Sequence, residues 1–205
     1  MWSYEKRLML PINIKNKNPK LAKSILTQFG GYASELGAAL RYLTMRYTMP
    51  TDEGKALLTE IGTEELAHIE MINTIVLQLT GGVPVNELKE LGVESNYVEH
   101  GYNMFPVDAN GVPFSTMLFA VTGDPIVDLA ENLAAEEKAR IVYERLMDLT
   151  NDPDVLAPLS FLREREIIHF QRFGEALRLV QERLNSRNFY ACNPGFDMNC
   201  GCNCN

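Results

Sequence analysis

Glu35, Glu65 and His68 return 101 residues later as Glu136, Glu166 and His169. In each half a Glu is followed thirty residues on by Glu-x-x-His, Glu65-Leu66-Ala67-His68 in the first and Glu166-Ile167-Ile168-His169 in the second. Residues three apart project from one face of a helix. Each half therefore supplies one helix with a single Glu and one with a Glu/His pair. That combination, taken twice, is the ligand set of a dinuclear metal site inside a four-helix bundle. Chance is a poor explanation. With 19 Glu in 205 residues, a given His has a Glu three before it about 9% of the time. Two of the three His doing so has odds of about 2–3%, before the matching upstream Glu is counted.

The neighbours of these residues place them indoors. One apolar stripe runs Leu58, Ile61, then Glu65 and His68, then Ile72, Ile75 and Leu79; the other runs Leu159, Leu162, then Glu166 and His169, then Phe173, Leu177 and Val180. Both keep the 3–4 spacing of a core-facing helix. Buried carboxylates are strongly penalised unless paired or bound to a cation. Four inward Glu without matching lysines require positive charge, and two divalent ions supply it. Whether Glu136 or its neighbour Glu137 faces inward rests on the repeat arithmetic. Tyr42 and Tyr143 follow Glu35 and Glu136 by seven residues, on the same helix faces. Tyr42 either hydrogen-bonds a metal-bound carboxylate or oxygen ligand, or is a core tyrosine with one satisfied hydroxyl. Arg140, four residues after Glu136, is expected to pair with a nearby Glu at the bundle end. His100 fits neither repeat and is expected at the surface.

Punctuation divides the chain into two helical hairpins. Asn18-Pro19, Asp124-Pro125 and Asp152-Pro153 each put an N-cap residue before a proline at the first helical position. A further start follows Met49-Pro50, near Thr51 or Asp52. The pattern predicts helices at about 19–48, 52–80, 125–150 and 153–187. Residues 83–123 lack helical periodicity over most of their length, a stretch normally too long for a loop. A ferritin-like bundle needs one such crossover to bring its second hairpin alongside the first. The fold class read from the sequence is thus all-α, a ferritin-like four-helix bundle over residues 1–187.

With 46% hydrophobic residues the chain can bury one full core. A net charge of −8 without a Lys/Arg cluster argues against nucleic acid and anionic membrane surfaces as partners. The opening Met1-Trp2-Ser3-Tyr4-Glu5-Lys6-Arg7 has no apolar h-region behind it, and no run of eighteen apolar residues exists. Synthesis in a cytoplasm, with no secretory signal and no membrane span, is expected. Cys192, Cys200, Cys202 and Cys204 all fall in the last fourteen residues, on an Asn- and Gly-rich stretch. Residues 188–205 are expected to form a flexible tail, crosslinking or simply exposed, since a four-Cys zinc site normally uses wider spacing than Cys-x-Cys-x-Cys.

Carboxylates with two imidazoles suit manganese or iron and disfavour copper(I) and structural zinc; the ligands alone do not choose between the first two. The segments Gly62-Thr63-Glu64-Glu65-Leu66-Ala67-His68-Ile69-Glu70-Met71 and Phe161-Leu162-Arg163-Glu164-Arg165-Glu166-Ile167-Ile168-His169-Phe170 resemble those of the manganese catalases. The opening residues and compact length resemble members of that family from the spore coat of endospore-forming bacteria. The resemblance spans about residues 1–187 and implies a particular division of roles. Glu65 would bridge two manganese ions, with Glu35 and His68 completing one ion's protein ligands and Glu136 and His169 the other's. Glu166 would shuttle protons beside the site and not ligate metal, whereas a symmetric ferritin-like site would have it bridge as Glu65 does. Ala135, just before Glu136, offers no charged group of its own. The implied activity is 2 H2O2 → 2 H2O + O2, with peroxide oxidising the reduced manganese pair in one half of the cycle and re-reducing it in the other. A homohexamer and other coat proteins are the implied partners. Two alternatives stand beside this: a di-iron ferritin-like oxidase or ferroxidase, and a coat-building protein whose tail crosslinks neighbours.

Overall fold

Proline and its capping partners start the helices where the sequence places them. The computed structural model describes residues 8–118 and 120–186; the expectations for residues 1–7 and for the tail with its four cysteines lie outside them. Asn18 Oδ1 accepts from Leu21 N at 3.0 Å and begins α1, Pro19–Ile25. Thr51 Oγ1 accepts from Gly54 N at 3.0 Å and begins α4, Asp52–Thr80. Asp124 Oδ1 accepts from Ile126 N and Val127 N at the head of α7, Pro125–Met147. Asp152 Oδ1 accepts from Asp154 N beside the start of α8, Pro153–Ser186.

The expected first helix is broken, and the break matters. Instead of one helix over 19–48 there are three: α1, then α2, Thr27–Gly30, then α3, Glu35–Met45. Gly31 turns extended at the end of α2, where a Cβ would lie 2.4 Å from Thr27 O. Ser34 then caps α3 by accepting from Gly37 N at 3.3 Å, which makes Glu35 the first residue of its helix. A carboxylate there meets the positive end of the helix dipole. Gly30 has a separate duty. A Cβ on it would lie 2.4 Å from the Pro106 carbonyl carbon and from Val107 N, so the crossover backbone rests directly on the break. Gly30→Ala must push that backbone away, and overpacking of this kind costs about 1–3 kcal/mol. A thermal or denaturant melt with an unchanged midpoint would show that the crossover yields freely.

The crossover also carries more helix than its sequence pattern indicates. Val85–Glu90 forms α5, Glu94–His100 forms α6, and a 3-10 turn spans Thr116–Leu118. These are one- to two-turn pieces, too short for a periodic apolar signal. Val107 and Pro113 form an isolated antiparallel bridge, and the described residues contain no longer strand. Buried Asp128 ends the crossover, accepting from Thr122 N, Thr122 Oγ1 and Gly123 N at 2.7–3.1 Å.

Helices α3 and α4 pack as one antiparallel hairpin and α7 and α8 as the other; α3 meets α7 and α4 meets α8 across the bundle. The apolar core falls into two clusters. One gathers Ile25, Ile72, Ile75, Leu79, Leu159 and Leu162. The other gathers Met45, Leu58, Ile61, Leu129, Phe173 and Val180. Between them along α4 and α8 lies a polar layer of Glu65, His68, Glu166 and His169, the interruption seen in both sequence stripes. No helix among the described residues is long and apolar enough to cross a membrane.

Candidate metal centre

Four helices each bring one part of the repeat to the polar layer. Glu35 comes from the start of α3, Glu65 and His68 from the middle of α4, Glu136 from the middle of α7, and Glu166 and His169 from the middle of α8. All six are at most 2% exposed. Glu136 points inward, and Glu137 instead binds Arg140, which also reaches Glu144.

Glu65 is central. Its Oε2 is 2.8 Å from His68 Nδ1 and its Oε1 is 2.9 Å from His169 Nδ1. The two imidazoles lie nearly parallel with centroids 5.6 Å apart. Glu35 Oε2 is 3.4 Å from His68 Nδ1, and Glu136 Oε2 is 3.7 Å from His169 Nδ1. Glu166 Oε1 lies 3.7 Å from His68 Nδ1. The donor atoms form two overlapping groups, Glu35, Glu65, His68 and Glu166, and Glu65, Glu136, Glu166 and His169. Within each group they fall within 4.8 Å of one another.

The tyrosines cross over. Tyr42, on the helix of Glu35, donates to Glu136 Oε1, while Tyr143, on the helix of Glu136, donates to Glu35 Oε1. Tyr42 is thus a core tyrosine whose hydroxyl is satisfied by a carboxylate of the cluster. Each hydroxyl fixes the outer oxygen of the opposite half's Glu and leaves Oε2 facing the imidazole. Sequence reasoning missed one pair that touches both imidazoles' outer edge, Glu64 and Arg165. Glu64 Oε1 and Oε2 lie 3.6 Å and 3.2 Å from the Nε2 atoms of His68 and His169, while Arg165 grips the same carboxylate at 2.6 Å and 3.2 Å. The signal was present: Glu64 and Arg165 are themselves 101 residues apart, opposite charges at one repeat position. A carboxylate on the far nitrogen of a ligating histidine fixes its tautomer and orientation. Glu64→Gln is expected to weaken metal binding about 10- to 100-fold, as read by chelator competition. An unchanged affinity would reduce Glu64 to a surface ion pair.

His100 stands apart from this layer. Its side chain is a quarter exposed and stacks on Phe105 at 4.0 Å, over a cavity of about 260 Å³ beneath the crossover. It lies at the surface, half-buried against Phe105, and belongs to neither repeat.

The electrostatics show what the cluster lacks. Burial, then the Glu65 charge, raises Glu35 to about 8. Burial and the surrounding Glu35, Glu65 and Glu136 carboxylates push Glu166 well above the usual range. Burial would raise Glu65 too, but His169 and His68 hold it well below that range. Burial opposes charge on the imidazoles, yet the surrounding carboxylates together outweigh it: Glu65, Glu35 and Glu64 raise His68 strongly, and Glu65, Glu136 and Glu64 raise His169 to about 12. Even so, both oxygens of Glu65, both nitrogens of each His and Glu166 Oε1 lack a hydrogen-bond partner. Such orphaned buried donors and acceptors need an explanation. Two hard divalent cations fit them, because carboxylate oxygens and neutral imidazoles are their ordinary ligands.

A pH dependence follows with a definite sign. Metal ligands must be deprotonated, and the metal-free cluster holds raised-pKa protons on Glu35, His68 and His169. Ions must displace these protons, so apparent affinity rises with pH, about tenfold per unit for each proton released. The slope eases above about 8, where Glu35 has given up its own proton. Manganese titrations at pH 6, 7 and 8 against a chelator of known pH dependence check this, and a flat profile contradicts it.

A carboxylate- and histidine-lined layer inside a ferritin-like bundle defines the class. The comparisons identify the family. Residues 1–189 match the model of the manganese containing catalases. The chain is 48% identical over 190 residues to Protein CotJC of Bacillus subtilis, covering 93% of this chain and all of that one. It is 34% identical to a probable manganese catalase of Clostridium acetobutylicum, over 92% of this chain and 85% of the relative. The crystal structure of KatB, a manganese catalase from Anabaena, superposes with a TM-score of 0.81 at 31% identity, over 88% of this chain and 81% of that one. The chain belongs to the manganese catalase family.

Proposed function

We propose that the protein disproportionates hydrogen peroxide to water and dioxygen at two manganese ions held by Glu35, Glu65, His68, Glu136 and His169. The observation that carries this is the Glu65 carboxylate, buried between two imidazole Nδ1 atoms with one oxygen turned to each. Family membership supports manganese in the site. When bound, the ions supply a two-electron couple that takes electrons from one peroxide and returns them to another. The side chains have separable tasks. Tyr143 and Tyr42 hold the outer oxygens of Glu35 and Glu136, so that Oε2 of each stays turned to the imidazoles. Glu64 orients both rings from behind. The peroxide that is reduced takes up two protons to leave as two waters, and the peroxide that is oxidised releases two as it leaves as dioxygen. Glu166, which burial and three flanking carboxylates push toward the protonated acid in the metal-free cluster, is suited to carry protons between the two.

One observation favours a second reading. Glu166 belongs to both donor groups, as a ligand of a symmetric di-iron oxidase would. Protein expressed with manganese and iron both available separates the two. We expect two manganese ions per chain and one dioxygen released per two peroxides. Iron-filled protein that consumes dioxygen and evolves none from peroxide would favour the oxidase. The relative at 48% identity supports a place in the spore coat, with other coat proteins as partners, and the family resemblance supports a homohexamer.

A further inference from the structure

Arg41 is a buried charge that the metal centre does not use. It stands on α3 just before Tyr42 and is 4% exposed, and its Nε and Nη1 have no hydrogen-bond partner. Its ion-pair partner, Glu131 of α7, lies 3.8 Å from Nη1, beyond hydrogen-bond reach. The same Glu131 oxygen is shared with Lys138 Nζ at 3.4 Å. A desolvated guanidinium with idle donors is costly, so an acceptor beside it is energetically favoured.

The space for one is there. Tyr32, Ser34, Ala38, Arg41, Ala135 and Lys138 line a cavity of about 10 Å³. That is room for one water-sized occupant. Ala38 and Ala135 leave the room that longer side chains would fill. Helical side chains lean toward the N-terminus, so Arg41 reaches back along α3 toward Ser34, the cap of this 11-residue helix. The positive end of the helix dipole adds to the two cations, and Glu131 is the carboxylate that opposes them. Ser34, Arg41 and Ala135 each immediately precede a residue of the metal centre: Glu35, Tyr42 and Glu136.

We propose that this pocket binds a small monovalent anion between Arg41, Lys138 and the head of α3, at the outer edge of the metal centre. The chemistry is shared by a halide and by the hydroperoxide anion. Halide binding stands on the pocket alone, while use by peroxide rests on the catalase reading.

The test uses metal-loaded full-length protein. Crystals soaked in sodium bromide should show one anomalous peak in the pocket, absent in Arg41→Met and retained in Arg41→Lys. In solution, chloride at constant ionic strength should raise KM for peroxide and spare kcat. Arg41→Met should weaken that inhibition about 10- to 100-fold, the loss of one charge-assisted hydrogen bond. Lys138→Met, on a half-exposed side chain that does not threaten folding, should weaken it about 2- to 5-fold. Chloride that lowers kcat without moving KM would assign the pocket to halide and not to substrate. Bromide on the metal positions alone, or equal chloride sensitivity in the wild type and both methionine variants, overturns the proposal. Should the protein evolve no oxygen at all, bromide occupancy and its loss in Arg41→Met still decide the anion site.

Discussion

Glu65→Gln is expected to leave the chain folded but without metal, and peroxide breakdown at the level of buffer. The substitution is nearly isosteric, so it opens no cavity in the layer between the two apolar clusters. It removes the charge facing both His68 Nδ1 and His169 Nδ1 at 2.8 Å and 2.9 Å. Each ion would keep one other carboxylate and one imidazole, but the anion common to both groups would be gone. Taking one partner from a buried charge pair costs about 3–5 kcal/mol, or about two to four orders of magnitude in affinity. The imidazoles respond in the opposite sense, since Glu65 is among the carboxylates that hold protons on them, but easier deprotonation does not replace the anion shared by both donor groups. Metal analysis beside oxygen evolution reads both effects. A variant that retains two ions per chain would displace Glu65 from the centre of the site.

Most of this site was legible because its signal is arithmetic. The 101-residue offset pairs Glu35 with Glu136, Glu65 with Glu166 and His68 with His169, and the structure brings all six into one buried layer. Helix starts were equally readable, because Asn18, Thr51, Asp124 and Asp152 act through bonds to amides two or three residues away. What escaped depends on contacts distant in the chain. The break between α1 and α3 had a local mark in Gly30-Gly31 and the Ser34 cap, but the close approach of Pro106 and Val107 to Gly30 shows only in the assembled fold. The short helices α5 and α6 bury little apolar surface and so leave little periodicity. Glu64 and Arg165 read as ordinary surface charges until the two hairpins face each other. The tyrosine exchange, Tyr42 to Glu136 and Tyr143 to Glu35, likewise exists only in the assembled bundle.

Glu166→Gln probes whether a buried carboxyl of this kind ligates or carries protons. The amide keeps the volume and one acceptor oxygen but cannot take up or give back a proton. Glu166 is 1% exposed, and its first neighbours in charge are Glu35, Glu65 and Glu136, which together with burial favour the protonated acid. A neutral amide therefore mimics the protonated acid and removes its ability to cycle. Loss of a positioned acid–base group typically costs 10²- to 10⁴-fold in rate, and turnover is expected to fall by about that factor. Two ions per chain should remain, since Glu35, Glu65, His68, Glu136 and His169 are untouched. The opposite outcome is equally informative. If the variant loses metal in step with activity, Glu166 joins Glu65 as a bridging ligand, and the symmetric di-iron arrangement becomes the better description of the same six residues.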